Sequence, residues 1–218
     1  MLDFVLKSGR GVRRVLCVGA HCDDIEIGCG GALLAMQKSP AVRIDWVVLS
    51  GSARRRAETG AAMRALLQRR ARGELHFGDF PDGRFPGHYV RIKEFIEALK
   101  RLPRPDLILC HERDDRHQDH RAVNELVWST FRDHAILEYE VPKWDGGLGQ
   151  PNVYIPLTGA QARRKVAALL DCHASQRRRD WFDSETFMGL LRLRGIECRS
   201  PSGYAEGFYG RKIRFIGS

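Results

Sequence analysis

Residues 15–31 of this 218-residue chain read VLCVGAHCDDIEIGCGG. The first five residues are apolar, as in a buried central strand, and residues 30–37 have the pattern of a helix. Between the two lies a polar turn that is rich in acids and is followed by glycines. A strand, a turn and a helix in this order begin a βαβ unit, so the stretch predicts an α/β protein with a mostly parallel sheet.

The same alternation continues along the chain. Helical spacing of apolar residues predicts helices at 57–70, 89–100, 123–131 and 160–172. Short β-branched runs predict strands at 44–49, 75–77, 107–109, 136–141 and 153–155, and weaker alternation predicts a last strand at 211–216. The length and the continuous pattern favour one domain over residues 1–218.

Composition excludes several classes of protein. Apolar residues make up 43% and charged residues 29% of the chain, as in ordinary globular proteins rather than disordered ones. The longest apolar runs are too short for a membrane span, and the first residues lack the features of a secretory signal, so we expect a cytoplasmic protein. The six cysteines form no C-x-x-C pair, which favours reduced thiols over disulfides.

The net charge of +9 raises the question of an anionic partner. Many arginines cluster in residues 54–72, which lie largely on one predicted helix, and three more lie at 177–179. Neither cluster is interleaved with aromatic residues that could stack on bases, so nucleic acid is not the expected partner. The pattern favours solvated helix faces, and attraction of a phosphorylated substrate is the alternative.

Titratable residues are concentrated directly after two predicted strands. The first group is residues 20–26, reading AHCDDIE, and the second is residues 111–120, reading HERDDRHQDH. Ligands bind beyond the carboxyl ends of strands in open parallel sheets. Acids at such places can simply cap helices, but four histidines and several acids on two strand ends exceed what capping needs.

Imidazole and carboxylate groups suit zinc, and a catalytic zinc keeps three protein ligands and one open position. His21 and Asp24 are close enough in sequence to bind one ion, and either His120 or His117 can supply the third ligand. Of the adjacent acids Asp23 and Asp24, one can bind the metal while the other accepts a proton from water. The residues therefore predict metal-assisted hydrolysis without identifying its substrate.

These motifs resemble those of the LmbE-like, or PIG-L, de-N-acetylases. The family pattern A-H-P-D-D-E is similar to residues 20–26, and H-x-D-H is similar to residues 117–120. Residues 80–84, 104–106 and 173–176 also look like family segments. The resemblance implies a Rossmann-like α/β fold, with a mostly parallel sheet and helices on both faces. It also implies a zinc-dependent amidohydrolase that removes an acetyl group from an amino sugar or a sugar-containing metabolite.

Carried over by position, the resemblance implies one zinc per chain, or another divalent metal, bound by His21, Asp24 and His120. Asp23 would be the general base, and His117 the electrophilic or acid partner. Asp119 would orient His117 or a metal ligand from outside the coordination sphere.

The chain departs from the family pattern at two positions. Cys22 stands where the family has proline, and we expect its thiol to face away from the ion because successive side chains alternate in extended backbone. Ile25 separates Asp24 from Glu26, which leaves the role of the glutamate open.

Two alternatives remain open. A sugar-nucleotide-binding α/β protein without hydrolase activity is suggested by the glycines at 28–31, although the G-x-G-x-x-G pattern is absent. A basic nucleic-acid-binding module is the other. The expected partner is a small N-acetylated sugar, which could be free, phosphorylated or nucleotide-linked, and the sequence leaves homo-oligomers open.

Overall fold

A mixed seven-stranded sheet is the centre of the computed structural model, which describes residues 12–37, 42–67 and 72–212. The spatial order of the strands is β3-β2-β1-β4-β5-β7-β6. The first five strands in this order are parallel, and β7 is antiparallel to both β5 and β6. The strands are β1 (Arg14–His21), β2 (Arg43–Ser50), β3 (Leu75–Phe77), β4 (Leu107–His111), β5 (Ala135–Tyr139), β6 (Val153–Leu157) and β7 (Tyr204–Gly210).

Helices cover both faces of this sheet. Along β1, Val15 and Cys17 point into one apolar cluster while Leu16 and Val18 point into the other, because successive side chains of a strand alternate. The helices α1, α2, α5 and α6 pack on the first cluster, and α3 and α4 pack on the second. The predicted α/β class is confirmed. The helices are α1 (Asp24–Met36), α2 (Ala53–Leu67), α3 (Tyr89–Ala98), α4 (Gln118–Thr130), α5 (Gly159–Cys172) and α6 (Ser184–Glu197).

The two helices that follow the site motifs begin earlier than the sequence predicts. The helix predicted at 30–37 starts at Asp24, and the one predicted at 123–131 starts at Gln118. The glycines in α1 hid its first two turns because glycine is a poor helix former. Packing explains them, since a Cβ on Gly28 would lie 2.1 Å from the Tyr139 ring. Both predicted motifs therefore run into the first turn of a helix.

The C-terminal third differs most from the prediction. The helix α6 and the strand β7 were not predicted, and the strand predicted at 211–216 is wrong for residues 211 and 212, while residues 213–216 lie outside the described part. Strand β7 reads YAEGFYG and is buried over most of its length. A strand that is buried on both faces loses the alternation by which strands are recognised. The end of the helix predicted at 57–70 also lies outside the described residues.

The topology fixes where a site can form. From β1 the chain moves outward through β2 and β3 on one side, and β4 and β5 lie on the other side. The carboxyl ends of β1 and β4 therefore flank a crevice at the point where the strand order reverses, which is the usual ligand position in such sheets. The residues that follow these two strands are those with the predicted chemistry. No helix in the described residues is long and apolar enough to cross a membrane.

Candidate metal and catalytic centre

Three donor atoms from the two strand ends meet in a nearly regular triangle. Nδ1 of His21 is 3.4 Å from Oδ2 of Asp24 and 3.3 Å from Nε2 of His120. The third side, between His120 Nε2 and Asp24 Oδ2, is 3.5 Å. Ligands at about 2.0–2.1 Å from a tetrahedral zinc ion are about 3.3–3.4 Å from one another. The donor set and its spacing therefore fit a single zinc ion.

His21 is oriented by a carboxylate on the side of its ring away from the triangle. Its Nε2 lies 3.2 Å from Oδ2 of Asp119 and 3.1 Å from Oδ1 of Asp82. The backbone N–H groups of Gly83 and Phe85 donate to the Asp119 carboxylate at 2.7 and 3.0 Å and hold it in place. When Nε2 donates to a carboxylate, the lone pair of Nδ1 is free for a metal.

A second carboxylate, which the sequence analysis missed, orients His120 in the same way. Oδ2 of Asp115 lies 2.8 Å from Nδ1 of His120, so Nε2 faces the triangle, where Nζ of Lys143 also lies 3.3 Å from it. Oδ1 of Asp115 accepts the backbone N–H of His117 at 2.7 Å, which fixes this carboxylate just before α4. Burial lowers the pKa of His120 to about 3, so this imidazole is neutral, as a metal ligand must be. Asp115 lies five residues before His120 in the sequence, and this spacing is the one signal that could have identified it.

His111 lies against the same group, but the ring nitrogen that faces Asp24 is already engaged in a hydrogen bond. Its Nε2 is 3.2 Å from Asp24 Oδ2, and its ring stacks on His120 with centroids 3.7 Å apart. The backbone N–H of Ala20 donates to that Nε2 at 2.9 Å. The lone pair of this nitrogen is thus used by the Ala20 hydrogen bond, which favours His120 over His111 as a ligand.

The charge of Asp24 is stabilised by the residues around it. Although burial alone would raise the pKa of Asp24, the adjacent His120 and His111 hold it well below its usual range. Its Oδ2 also accepts the backbone N–H of His21 at 2.7 Å. Asp24 is therefore a fixed anion at the start of α1, where the helix dipole further favours negative charge.

Asp23 has a different environment from its neighbour. Its side chain does not cap α1, and its Oδ1 lies 2.9 Å from an Nη2 of Arg55 in an ion pair. Burial raises the pKa of Asp23 to about 6, against the opposing effect of Arg55. The backbone at Asp23 has φ 111°, a left-handed conformation that side chains rarely adopt. Strain of this kind persists where the surrounding structure enforces it, often at functional sites.

His117 lies at the edge of the triangle rather than in it. A ring nitrogen of His117 lies within 4.8 Å of nitrogen atoms of His21 and His120. The N–H of Asp119 donates to Nδ1 of His117 at 3.2 Å, so a neutral ring carries its proton on Nε2. Burial lowers the pKa of His117, which favours that neutral form.

Lys143, which the sequence analysis did not single out, brings a positive charge to the centre. Its Nζ is 3.0 Å from His120 Nδ1 and 3.7 Å from Asp115 Oδ1. It follows β5, the strand beside β4, so the sheet order alone places it here.

The two departures from the family pattern point away from the triangle. Sγ of Cys22 contacts the carbonyl oxygen of Ser50 at 3.6 Å, and burial raises the pKa of this thiol to about 11, so it is neutral. Glu26 lies in the first turn of α1, where its Oε1 is 2.9 Å from Nε2 of His173 and both side chains are fully buried. Glu26 is therefore paired with His173 and is not one of the donor groups of the triangle.

Part of the first arginine cluster is the solvated helix face that the sequence suggested, since Arg54 and Arg64 are exposed, but Arg55 and Arg56 are not. Arg55 pairs with Asp23, and Arg56 donates to Asp79 at 2.8 Å and to the carbonyl oxygen of Gly51 at 2.7 Å. Because α2 begins next to the end of β2, its first turn faces the crevice. Two of the arginines are therefore committed to internal contacts, which removes part of the argument for an anionic partner.

Comparison with known proteins identifies the relatives of this chain. The family described as "PIG-L: GlcNAc-PI de-N-acetylase" matches residues 16–131, slightly more than half of the chain. An uncharacterized deacetylase of Escherichia coli K12, YaiS, is 29% identical over 187 residues, which cover 78% of this chain and 96% of that protein.

Solved structures share the fold across nearly the whole chain. The N,N'-diacetylchitobiose deacetylase of Pyrococcus horikoshii matches with a TM-score of 0.70 and 20% identity, covering 90% of this chain and 83% of that one. The 4-carboxy-2-hydroxymuconate hydratase GalB of Pseudomonas putida KT2440 matches with a TM-score of 0.72 and 18% identity, covering 94% and 99%. A hydratase on the same fold means that the site, and not the fold, must carry the functional argument.

Proposed function

The chain belongs to the PIG-L, or LmbE-like, family of de-N-acetylases, and from this membership we propose that it removes an acetyl group from the nitrogen of an amino sugar or a sugar-containing metabolite. The reaction is hydrolysis of a linear amide and depends on zinc. One domain, residues 1–218, would carry the whole site, because both groups of site residues lie on one sheet.

The observation that carries this proposal is the triangle of donor atoms. His21, Asp24 and His120 would hold one zinc ion per chain, which the sides of 3.3–3.5 Å support. His111 is disfavoured because its Nε2 accepts the Ala20 N–H, although that nitrogen lies 3.2 Å from Asp24 Oδ2. Another divalent metal with the same ligand preference could replace zinc. A zinc ion in such a site supplies a Lewis acid that polarises the amide carbonyl and makes water more acidic.

Asp23 is the proposed general base. Its carboxylate takes a proton from the attacking water as the water oxygen adds to the amide carbon. The same group then gives the proton to the nitrogen as the C–N bond breaks, which yields acetate and a free amine. A pKa of about 6 suits both directions of transfer near neutral pH, and the ion pair with Arg55 fixes the carboxylate for the task.

His117 is the proposed electrophilic partner. In its neutral form the Nε2–H can donate to the amide oxygen while negative charge develops there. The lowered pKa of His117 supports this role over proton donation by an imidazolium. Asp119 contributes twice, through its N–H to His117 and through its carboxylate to His21.

The proposed substrate is small and bears an N-acetyl group. The named activity of the Pyrococcus horikoshii structure supports a sugar, and the antimicrobial reagent A40926 pseudoaglycone deacetylase Dbv21 shows the same fold at a TM-score of 0.70. Free, phosphorylated and nucleotide-linked sugars remain candidates.

The test is acetate release from N-acetylglucosamine, its 1-phosphate and its UDP conjugate. We expect release from at least one of them, its loss after zinc is removed with a chelator, and its return with added zinc. The Asp23→Asn protein, purified in parallel, controls for contaminating hydrolases. Equal rates from zinc-free and zinc-loaded protein would refute the metal dependence, and a zinc-loaded protein that releases acetate from none of the three would refute the proposed substrate class.

A further inference from the structure

Trp144 is exposed and yet held in place. It lies in the loop after β5, and 64% of its surface is accessible to solvent. Scattered apolar residues on a protein surface need no functional explanation. Leu193, which is 57% exposed on α6, is of this ordinary kind. Trp144 differs because polar and aromatic contacts hold its ring.

Three contacts fix the indole ring. Its Nε1 donates to Oδ1 of Asp180 at 2.7 Å. The guanidinium carbon of Arg179 lies 5.4 Å from the ring centroid, and the ring of Trp181 meets it edge-on with centroids 6.1 Å apart. Arg179 is itself held by Gln176, whose Oε1 accepts from its Nε at 2.9 Å. An aromatic surface that is ordered before binding loses little entropy when a ligand covers it.

The ring is attached to a chain segment that borders the candidate centre. The residue before it is Lys143, whose Nζ lies 3.0 Å from His120 Nδ1. Arg179 and Asp180, which contact Trp144, belong to the segment that follows His173. His173 is paired with Glu26, and both residues are near enough to Asp23 to affect its pKa. Trp144 therefore joins the chain segment that contains Lys143 to the segment that follows His173.

We infer that Trp144 is a stacking platform for the pyranose ring of the substrate, with Asp180 and Arg179 beside it to bind ring hydroxyl groups. This inference rests on the proposed function and adds a subsite to it. The face of an aromatic ring carries negative potential, and the C–H bonds on one face of a pyranose are apolar and weakly positive. The exposed carboxylate of Asp180 at the indole nitrogen and the exposed guanidinium of Arg179 over one face of the ring suit the hydroxyls of a sugar that stacks on the other face.

The experiment compares Trp144→Ala, Trp144→Phe and Leu193→Ala. For each variant and the wild type, kcat and KM are measured with N-acetylglucosamine and with N-acetylethanolamine, which has the amide but no ring. A second arm measures the affinity of N-acetylglucosamine for the Asp23→Asn protein with and without Trp144→Ala, so that binding is read without turnover. A thermal melt of each variant controls for folding.

A platform predicts a sugar-specific loss. We expect Trp144→Ala to raise KM for N-acetylglucosamine about tenfold, equivalent to about 1.4 kcal/mol, with little change in kcat. Trp144→Phe should keep most of the affinity, and N-acetylethanolamine and Leu193→Ala should show no change. The binding arm should show the same tenfold loss.

Other outcomes overturn the inference in distinct ways. An unchanged KM for the sugar, or an equal rise for both substrates, shows that the ring does not recognise the pyranose. If wild-type protein is inactive on both substrates, the proposed function fails. The binding measurement still tests the stacking role of Trp144, because an affinity for N-acetylglucosamine that does not depend on Trp144 refutes that role.

Discussion

Two adjacent carboxylates, Asp23 and Asp24, are predicted to fail in opposite ways when each becomes an amide. Asparagine has nearly the shape of aspartate and tolerates positive φ, so Asp23→Asn keeps the strained backbone at φ 111° without a new penalty. The substitution removes the group that accepts the proton, while the triangle of donor atoms is untouched. We expect Asp23→Asn to bind zinc as the wild type does and to lose about 10²–10⁴-fold in rate.

Asp24→Asn acts on the triangle itself. Oδ2 of Asp24 is 3.4 Å from the His21 donor nitrogen and 3.5 Å from that of His120, so this residue contributes the one negative charge in the set. Removal of a carboxylate that only supports a ligand typically costs about 10–100-fold in metal affinity. Loss of the charged ligand should cost at least the upper end of that range, and the rate should fall with the metal content.

Zinc stoichiometry and acetate release, measured on the same preparations, decide between the roles. Each variant is equilibrated in a series of chelator-buffered zinc concentrations, and its thermal unfolding is compared with that of the wild type. If Asp23→Asn loses zinc while Asp24→Asn keeps it, the two roles are reversed. If both variants keep zinc and full rate, neither carboxylate takes part and the hydrolytic mechanism is wrong.

Three further substitutions test the surroundings of the centre. Asp115→Asn should weaken zinc binding about 10–100-fold in a chelator titration because His120 loses its carboxylate partner, whereas the exposed neighbour Asp114→Asn should bind as the wild type does. Arg55→Met should lower kcat about 10–100-fold at full zinc content, since charge-assisted hydrogen bonds contribute about 1.5–3 kcal/mol; an equal drop in Arg54→Met would contradict a specific role. Lys165→Met should reduce the free energy of unfolding in urea by about 3 kcal/mol, because it leaves the buried carboxylate of Glu206 without its cation. An unchanged midpoint of urea unfolding would contradict this.

The fold was predictable where the signal is local. The strands β1, β2 and β4 are continuous apolar runs, as expected for parallel strands buried on both faces, and each was located to within two residues at either end. The strand β7 is equally buried, but it contains Glu206, whose carboxylate accepts the N–H groups of Gly31 and Ala32 at 2.8 and 2.6 Å. A buried acid that is satisfied by residues so far away in sequence cannot be distinguished from a loop acid by local pattern.

The sequence by itself determined the chemistry of the site, because the types of residue after β1 and β4 limit what those strand ends can do. His21, Asp24 and His120 were proposed as ligands from their types and from the resemblance, and their role remains a prediction that the geometry supports. The tertiary structure alone decided how the side chains are used. It paired Arg55 with Asp23, placed Asp115 beside His120 and held the Trp144 ring against Asp180. These contacts join residues between 5 and 36 positions apart, and the direction of a side chain in a loop or a first helical turn depends on what packs against it, which no local pattern contains.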